Sequence, residues 1–310
     1  MPFFSIIIPT YNRAQFIVPT IKSVLAQTYT DFELIIVDDA STDNTEEIIK
    51  SFSDFRIIYL KNEKNLERST SRNIGIKNAK GTYICFLDSD DRYLDNHLEV
   101  LHANINKRKT PIALFLVNAY DLVNEVINER DCPEITKFNK YHFILKYTFN
   151  PPRMCVHHNI FKNILFDPHI NICEDVDISL RIVLKYPIFQ INERTVIYNL
   201  HPESFTLGDS MKPFKQRESY KKIFKKDELK GVLPKKTKNM LLSMTYYHSS
   251  IYFQSKHKYF NMYLDIIRSF ILYPKGYNGK TNKVMLFMLL YHLPFIGKLI
   301  RNVKNKSAIS

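Results

Sequence analysis

Thr82-Tyr83-Ile84-Cys85-Phe86-Leu87-Asp88-Ser89-Asp90-Asp91 is an apolar run that ends in an acidic cluster. Its apolar part, Tyr83–Leu87, predicts a strand that is buried on both faces of a sheet. Asp88 and Asp90 follow this strand and flank a single residue. Because ligands bind beyond the carboxyl ends of the strands in open α/β sheets, these two carboxylates lie where a binding site is expected.

The same alternation of apolar runs and helical patterns continues on both sides of this segment. Predicted strands are Phe4–Ile8, Leu34–Val37, Ile57–Leu60 and Ile112–Val117, and predicted helices include Leu66–Asn78 and Leu94–Ile105. Ser41 or Thr42 is expected to cap the helix after the second strand. Strands that alternate with helices predict right-handed βαβ units, so the fold class is α/β, with a mostly parallel sheet flanked by helices.

The pattern changes in the second half of the chain. Residues 125–152 are irregular, and an α/β portion then resumes with a strand at Val156–Phe161, a helix at Glu174–Lys185 and a strand at Phe189–Asn199. Beyond Lys212 the sequence is helical and rich in lysine, tyrosine and phenylalanine. It contains no internal repeat and no low-complexity tract.

Composition and charge indicate a globular protein with a basic extension. Of 310 residues, 45% are hydrophobic and 24% are charged, which is enough apolar material for a core. Residues 210–310 contain 21 basic and 4 acidic residues, whereas residues 1–209 contain 23 and 27. This asymmetry favours a near-neutral to acidic working domain followed by a helical, basic extension, and it argues against a nucleic-acid-binding protein.

Cysteine usage and the N-terminus favour a reducing cytosol. The four cysteines, Cys85, Cys132, Cys155 and Cys173, contain no Cys-x-x-Cys pair, which argues against a disulfide framework or a zinc site. The N-terminus lacks a basic segment, so we expect no signal peptide. The apolar stretch Val284–Ile300 is interrupted and short for a membrane span, and it favours an interfacial or buried helix.

Acidic residues at two places have both a structural and a chemical interpretation. Asp88 and Asp90 suit a divalent cation that also binds a diphosphate, although such residues are also common in turns. Asp91 is interpreted as a turn residue, as is Asp95. Glu174-Asp175 opens a predicted helix, where the acids either compensate the helix dipole or provide a general base.

Basic residues close to these predicted strand ends also have two interpretations. Arg68 and Arg72 are four residues apart and therefore share one helix face, where they are either solvated or positioned to contact phosphate. His157 and His158 are interpreted as structural residues. His201 ends a strand-like segment and could face the site.

Two common classes of α/β enzyme are disfavoured by the absence of their motifs. The sequence contains no Gly-x-Gly-x-x-Gly and no Walker-type loop, which argues against dinucleotide cofactors and nucleoside triphosphate hydrolysis. It contains no Gly-x-Ser-x-Gly elbow, which argues against an α/β-hydrolase.

Taken in order, the motifs of this chain resemble those of the family 2 glycosyltransferases. The matching segments are Ile8–Arg13, Leu25–Tyr29, Ile36–Thr45, Ser71–Ile76, Gly81–Asp91 and Glu174–Arg181, within residues 3 to about 206. The resemblance implies a GT-A fold, with a Rossmann-like sheet, and an inverting, metal-dependent transferase. It further implies a nucleotide-sugar donor, by default a UDP-sugar, and a glycan or lipid-linked acceptor in bacterial cell-surface polysaccharide synthesis.

The resemblance also implies roles for individual residues. Residues expected to bind the nucleotide sugar are Pro9, Tyr11 and Asp39 at the nucleobase, Arg72 near the nucleotide, and Asp88 on the ribose side with Ser89 beside it. Asp90 is expected to hold Mn²⁺ or Mg²⁺, with His201 closing the metal site. Asp175 is expected to be the catalytic base, and Glu174 is expected to contact the acceptor or the donor sugar.

The chain departs from the family pattern at two places. The stretch Leu66–Thr70, in the loop expected near the diphosphate, lacks the glycine and alanines that are common there. Cys173 occupies a position where the family often has glycine or another small residue.

By resemblance, residues 1–209 form the catalytic domain, with a nucleotide-sugar-binding half at 1–124 and an acceptor-binding half at 125–209. The extension at 210–310 either docks on an anionic inner membrane surface or packs on the catalytic domain. A cytoplasmic protein, peripheral on the inner face of the cell membrane, is therefore expected. The alternative function is a non-catalytic relative that binds a nucleotide sugar or glycan. The sequence leaves the oligomeric state open.

Overall fold

The computed structural model describes residues 1–130, 132–137, 139–147, 150–170, 172–201 and 212–274. The chain divides into two compact units, Met1–Gly208 and Asp209–Ser310. That the first is a catalytic domain with halves at 1–124 and 125–209 stays a prediction. The expected apolar helix at Val284–Ile300 lies outside the described residues.

The first unit is built on a nine-stranded sheet. Its strands are β1 (Phe4–Thr10), β2 (Phe32–Asp38), β3 (Ile57–Lys61), β4 (Tyr83–Phe86), β5 (Arg92–Tyr93), β6 (Leu114–Val123), β7 (Val126–Glu129), β8 (Met154–His157) and β9 (Ile188–Leu200). The order is β3-β2-β1-β4-β8-β6-β9-β5, with β7 paired to β6. The pairs among β1 to β4 and the pair β6–β9 are parallel. This is the predicted α/β fold with a mostly parallel sheet.

Helices accompany this sheet as the alternation predicted. They are α1 (Ile17–Leu25), α2 (Thr45–Lys50), α3 (Glu67–Asn78), α4 (His97–Asn106), α5 (Lys140–Tyr147) and α6 (Glu174–Lys185). Helix α3 approaches β1 closely at Gly75, where an added Cβ would lie 2.5 Å from Cγ2 of Ile7. A glycine at this position therefore lets the helix sit directly on the strand.

Three local predictions were wrong. The predicted strand at Val156–Phe161 is shorter and shifted, β8 at Met154–His157, and it runs antiparallel to both β4 and β6. Helix α2 begins after Asn44 rather than at a Ser41 or Thr42 cap, because the Ser41 hydroxyl accepts a hydrogen bond from the Asn12 amide instead. The irregular segment 125–152 contains β7 and α5, which its mixed composition concealed.

The second unit is helical in its described part, as the sequence predicted. It contains α7 (Lys212–Lys225), α8 (Lys235–Ser255) and α9 (Tyr259–Leu272). Arg217 of α7 is buried and donates to the carbonyl oxygen of Thr245 and to the hydroxyl of Ser249, both on α8. Between residues 212 and 274, as in the described part of the first unit, no helix is long and apolar enough to cross a membrane.

Candidate active site

The carboxyl ends of β1 and β2 are joined by a hydrogen-bonded network. Asp38 is fully buried and accepts from the Ser41 amide at 2.8 Å and from the Tyr59 hydroxyl at 2.7 Å. The neighbouring Asp39 donates its amide to the Thr10 carbonyl at 2.8 Å. Asp38 is thus a structural carboxylate, while Asp39 is held at the edge of the sheet where the sequence predicted a binding residue.

The side chain of Asp39 reaches the segment that leads into α3. Its Oδ1 accepts hydrogen bonds from Nδ2 of Asn62 at 2.7 Å and from the Leu66 amide at 2.8 Å. Asn62 also donates to the hydroxyl of Ser71, at 3.2 Å. Asp39 therefore positions the start of α3, a role that the sequence did not indicate.

Arg72 joins two acidic motifs that are far apart in the sequence. Its Nη2 donates to Oδ1 of Asp88 at 2.7 Å and its Nη1 donates to Oε1 of Glu174 at 2.9 Å. Arg72 is only 1% exposed, and the side chain of Glu174 is nearly as well buried. Charge-assisted hydrogen bonds of this kind are strong and directional, so they fix α3, the end of β4 and the start of α6 relative to one another.

The residue after Arg72 completes this anchorage. The Asn73 side-chain amide donates to the carbonyl of Phe166 at 2.8 Å and accepts from its amide at 3.0 Å. The ring of Phe166 lies 5.3 Å from the Arg72 guanidinium, within the range of a cation–π contact. Arg72 is therefore held by two carboxylates and one aromatic face.

Asp90 lies beside His201. Its Oδ2 is 3.3 Å from Nε2 of His201. The imidazole of His201 stacks on the ring of Phe16, with ring centroids 4.2 Å apart. The guanidinium of Arg13 lies 5.7 Å from the centroid of the same Phe16 ring. Burial raises the pKa of Asp90, the charge of Asp88 raises it further, and Arg13 lowers it.

Asp91 connects this cluster to β9. It is buried, and its Oδ1 accepts from the Asn199 amide at 3.0 Å. The adjacent strand β5 pairs with β9 through Arg92 and Ile197. Burial and the charges of Asp90 and Asp88 raise the pKa of Asp91 well above its ordinary value. Asp91 thus holds the end of β9, directly before His201.

Asp175 has the protonation behaviour of a candidate general base. Burial, and secondarily the charge of Glu174, raise the pKa of Asp175 to about 7. A carboxylate with a pKa near neutrality accepts protons more readily than an ordinary one, and it is still substantially ionised at neutral pH. The Val176 amide donates to its Oδ1 at 2.8 Å.

The remaining predicted site residues lie in different environments. Tyr11 is 44% exposed, directly after β1, and Pro9 is partly buried within that strand. Ser89 is buried, and its carbonyl accepts from the Thr20 hydroxyl at 3.0 Å. Arg68 lies 3.9 Å from Glu174, on the α3 face that it shares with Arg72, as the spacing predicted.

Two residues at the site, Phe16 and Arg13, had no role predicted from the sequence. Phe16 lies just before α1 and stacks on His201. Only the identity of His201 as a site residue could have directed attention to an aromatic partner.

The side chains of Asp90 and His201 suit a metal ion that takes most of its ligands from a substrate. Within the described residues, no three His, Cys, Asp or Glu side chains are grouped so that they could hold a metal ion. Asp90 and His201 supply one carboxylate oxygen and one imidazole nitrogen. Mg²⁺ and Mn²⁺ commonly bind one or two protein groups together with substrate phosphates, so this pair fits the predicted ion.

Comparison with known proteins finds related sequences and structures. The sequence profile described as glycosyl transferase family 2 matches residues 5–166. The putative colanic acid biosynthesis glycosyl transferase WcaA of Escherichia coli K12 is 32% identical over 222 residues, which cover 69% of this chain and 78% of that protein. The Escherichia coli UDP-Glc:α-D-GlcNAc-diphosphoundecaprenol β-1,3-glucosyltransferase WfgD is 38% identical over 138 residues, covering 44% and 53%.

Solved structures share the fold at lower sequence identity. Staphylococcus aureus TarS 1-349 in complex with UDP-GlcNAc superposes with a TM-score of 0.62 at 19% identity, over 90% of this chain and 83% of that one. The complex of the same protein with UDP gives a TM-score of 0.59 at 21% identity, over 81% and 72%. With more than half of its length matched by the family profile and its motifs assembled at one edge of the sheet, this chain belongs to glycosyl transferase family 2 and has the GT-A fold.

Proposed function

We propose that this glycosyltransferase moves a sugar from a nucleotide diphosphate-sugar, a UDP-sugar by preference, to a hydroxyl group of a lipid-linked glycan, with inversion. The observation that carries the proposal is the buried bridge from Asp88 through Arg72 to Glu174, which brings the predicted donor residues and the predicted base to one edge of the sheet. WfgD, whose name specifies a UDP-glucose donor and a diphosphoundecaprenol acceptor, supports these substrate classes.

In this proposal the donor lies across the ends of β1, β2 and β4. Pro9, Tyr11 and Asp39 receive the nucleobase, and Asp88 and Ser89 face the ribose. Tyr11 suits this role because its exposed ring offers a stacking surface. Asp39 suits it because its Oδ1 is already fixed by Asn62 and Leu66, so the carboxylate is preorganised.

Asp90 and His201 would hold Mn²⁺ or Mg²⁺ against the diphosphate. The ion would supply positive charge at the departing nucleoside diphosphate. Arg13 would add a cation at the same place, since its guanidinium packs on Phe16 next to Asp90. Phe16 keeps the His201 ring in one orientation by stacking on it.

Asp175 would accept the proton of the acceptor hydroxyl at a carboxylate oxygen. The hydroxyl oxygen then forms its bond to the anomeric carbon while the bond from that carbon to the diphosphate breaks. One displacement inverts the configuration of the carbon. Glu174, paired to Arg72, holds its negative charge beside Asp175 and so keeps the proton affinity of the base high.

A lipid-linked acceptor would place this chain on the inner face of the cell membrane, in bacterial surface polysaccharide synthesis. WcaA, a putative colanic acid biosynthesis enzyme by name, supports that setting. The competing function is a non-catalytic relative that binds a nucleotide sugar or glycan.

Calorimetric titration tests the donor and metal assignments together. UDP, GDP and TDP are titrated with Mn²⁺ and again with a chelator, using the wild type, Asp90→Asn and Asp95→Asn. We expect UDP to bind in a metal-dependent manner, with at least about tenfold weaker binding to Asp90→Asn. Asp95→Asn is a matched control, because Asp95 is an exposed acid on the same connection.

The outcomes separate the hypotheses. Metal-independent binding, or full affinity in Asp90→Asn, contradicts the metal assignment. Binding without release of nucleoside diphosphate from any tested sugar donor and lipid-linked acceptor moves the function to the non-catalytic alternative. No binding in folded protein contradicts the donor site itself.

A further inference from the structure

Helix α9 exposes a continuous apolar face. Phe260 is 75% exposed, Ile271 72%, Phe270 52% and Ile267 46%. Residues 260, 267 and 271 lie on one side of a helix, and residue 270 lies beside them. We call these four side chains the α9 face.

The orientation of the helix is fixed, so this face cannot turn into the unit. On its opposite side, Met262 and Ile266 are buried against Tyr247 and Phe253 of α8. Ser269 is also buried, and it donates to the carbonyl of Ser243 at 2.8 Å.

A buried carboxylate adds to this restraint. Oδ2 of Asp265 accepts from the Ser249 hydroxyl and lies 3.5 Å from Nη2 of Arg217. Rotating α9 to hide its apolar face would leave Asp265 and Arg217 without these partners, and buried charges without partners are costly.

The charge of this unit indicates which kind of partner covers the α9 face. Residues 212–274 contain 14 basic and 4 acidic residues, and residues 275–310 add 7 basic and none acidic. Lys256 and Lys258, directly before α9, are both exposed, as is Arg268 on the helix itself. Apolar side chains beside a strong excess of cations are typical of helices that lie in the surface of an anionic bilayer.

We propose that the α9 face inserts into the surface of an anionic membrane. Phe260, Ile267, Phe270 and Ile271 would enter the boundary between headgroups and acyl chains, while Lys256 and Lys258 stay among the phosphates. Tyr259, 40% exposed at the start of the helix, has the amphipathic ring that is enriched at this level of a bilayer. This surface deepens the membrane setting of the proposed function.

Vesicle binding of the full chain tests this surface directly. Cosedimentation is measured with phosphatidylcholine vesicles and with vesicles containing about 30% phosphatidylglycerol, because anionic lipid attracts cations. The test variant combines Phe260→Ser and Ile271→Ser. The control is Phe55→Ser, which removes an even more exposed ring, at 96%, from the first unit.

We expect wild type and Phe55→Ser to bind anionic vesicles and to bind neutral vesicles much more weakly. The double variant should lose at least about tenfold in partition coefficient, since two large apolar side chains no longer transfer from water. Thermal melting shows whether it is folded, and higher salt should weaken wild-type binding independently of any variant.

Three results would overturn the proposal. The first is unchanged vesicle binding by the folded double variant, which would assign binding to another part of the basic chain. The second is equal binding to neutral and anionic vesicles. The third is a wild-type dimer that the double variant converts to monomer without any vesicle binding, which would assign the face to a second copy. None of these measurements requires a sugar donor, an acceptor or turnover. Failure of the membrane proposal can therefore be told apart from failure of the proposed reaction.

Discussion

Asp175 is expected to set the pH dependence of sugar transfer. Burial and the charge of Glu174 raise its pKa to about 7, and only its ionised form can accept a proton. A group with this pKa is ionised in about a tenth of the molecules at about pH 6 and in about nine tenths at about pH 8. We therefore expect kcat/KM to rise about tenfold per pH unit below about 7 and to level off above it.

The raised pKa of Asp175 also makes the stability of the folded protein depend on pH. A raised pKa means that the folded protein binds this proton more tightly than the unfolded chain does. The free energy of unfolding contributed by Asp175 therefore falls as pH rises from the ordinary value of 3.8 to about 7. Asp175→Asn, which mimics the neutral form, should raise the melting temperature relative to wild type at pH 8 and much less at pH 5.

Two assays measure these effects on the same proteins. Release of nucleoside diphosphate gives kcat/KM across the pH range, and thermal melting gives stability at both pH values. Asp175→Asn should lose about 10²-fold or more in kcat/KM while it gains stability at high pH. Asp95→Asn, an exposed acid, should change neither.

Full transfer activity in Asp175→Asn would refute the base assignment. A limb of the pH profile near the ordinary carboxyl value would refute the shifted pKa, as would a melting difference that is equal at both pH values. Glu174→Gln adds a directional check. It removes the negative charge that raises the pKa of Asp175, so the limb should move to lower pH in whatever activity remains.

Further predictions concern the elements that carry the site. Glu67→Gly should stabilise the protein by about 0.5–1 kcal/mol in urea unfolding, because residue 67 has a φ of 68°, a conformation that glycine adopts without strain. The control Lys77→Gly, in the same helix but without this conformation, should destabilise it by about 1 kcal/mol. Gly75→Ala should destabilise by about 1–3 kcal/mol, because its Cβ would meet a β1 side chain at 2.5 Å. Arg72→Met should cost about 3–5 kcal/mol, because Glu174 stays buried without the guanidinium that donates a hydrogen bond to it. Arg72→Met combined with Glu174→Gln should recover part of that stability, and an additive double variant would contradict the pairing.

The fold was predictable wherever a single sequence pattern identifies an element. Continuous apolar runs such as Leu34–Val37 and Tyr83–Leu87 indicate buried strands, and alternation with helices indicates parallel neighbours. Strand direction has no such signal, because an apolar run reads the same in either direction. The antiparallel placement of β8 therefore depends on the long connection before it, whose β7 and α5 carried weak periodicity.

The site was predictable as separate motifs but not as an assembly. Residues 88–90, 72 and 174–175 were each identified, yet nothing local says that Arg72 spans the other two. Glu174 lies 102 residues from its partner. Asp91 was interpreted as a turn residue, and its contact with the Asn199 amide depends on the pairing of β5 with β9.

Both departures from the family pattern contain a residue with a left-handed backbone conformation. Glu67 and Cys173 have φ values of 68° and 64°, in the left-handed region that favours glycine. Glu67 lies in the stretch that lacks the glycine and alanines common in the family, and Cys173 stands where the family often has glycine or another small residue. Such a conformation costs about 1–2 kcal/mol in other residues, and it persists where surrounding contacts determine it. Here each strained residue adjoins one that the site holds: the Leu66 amide donates to Asp39, and Glu174 pairs with Arg72. The contacts that arrange the site thus also maintain the loop geometry without glycine, so weakening either contact should relax both the strained residue and the site beside it.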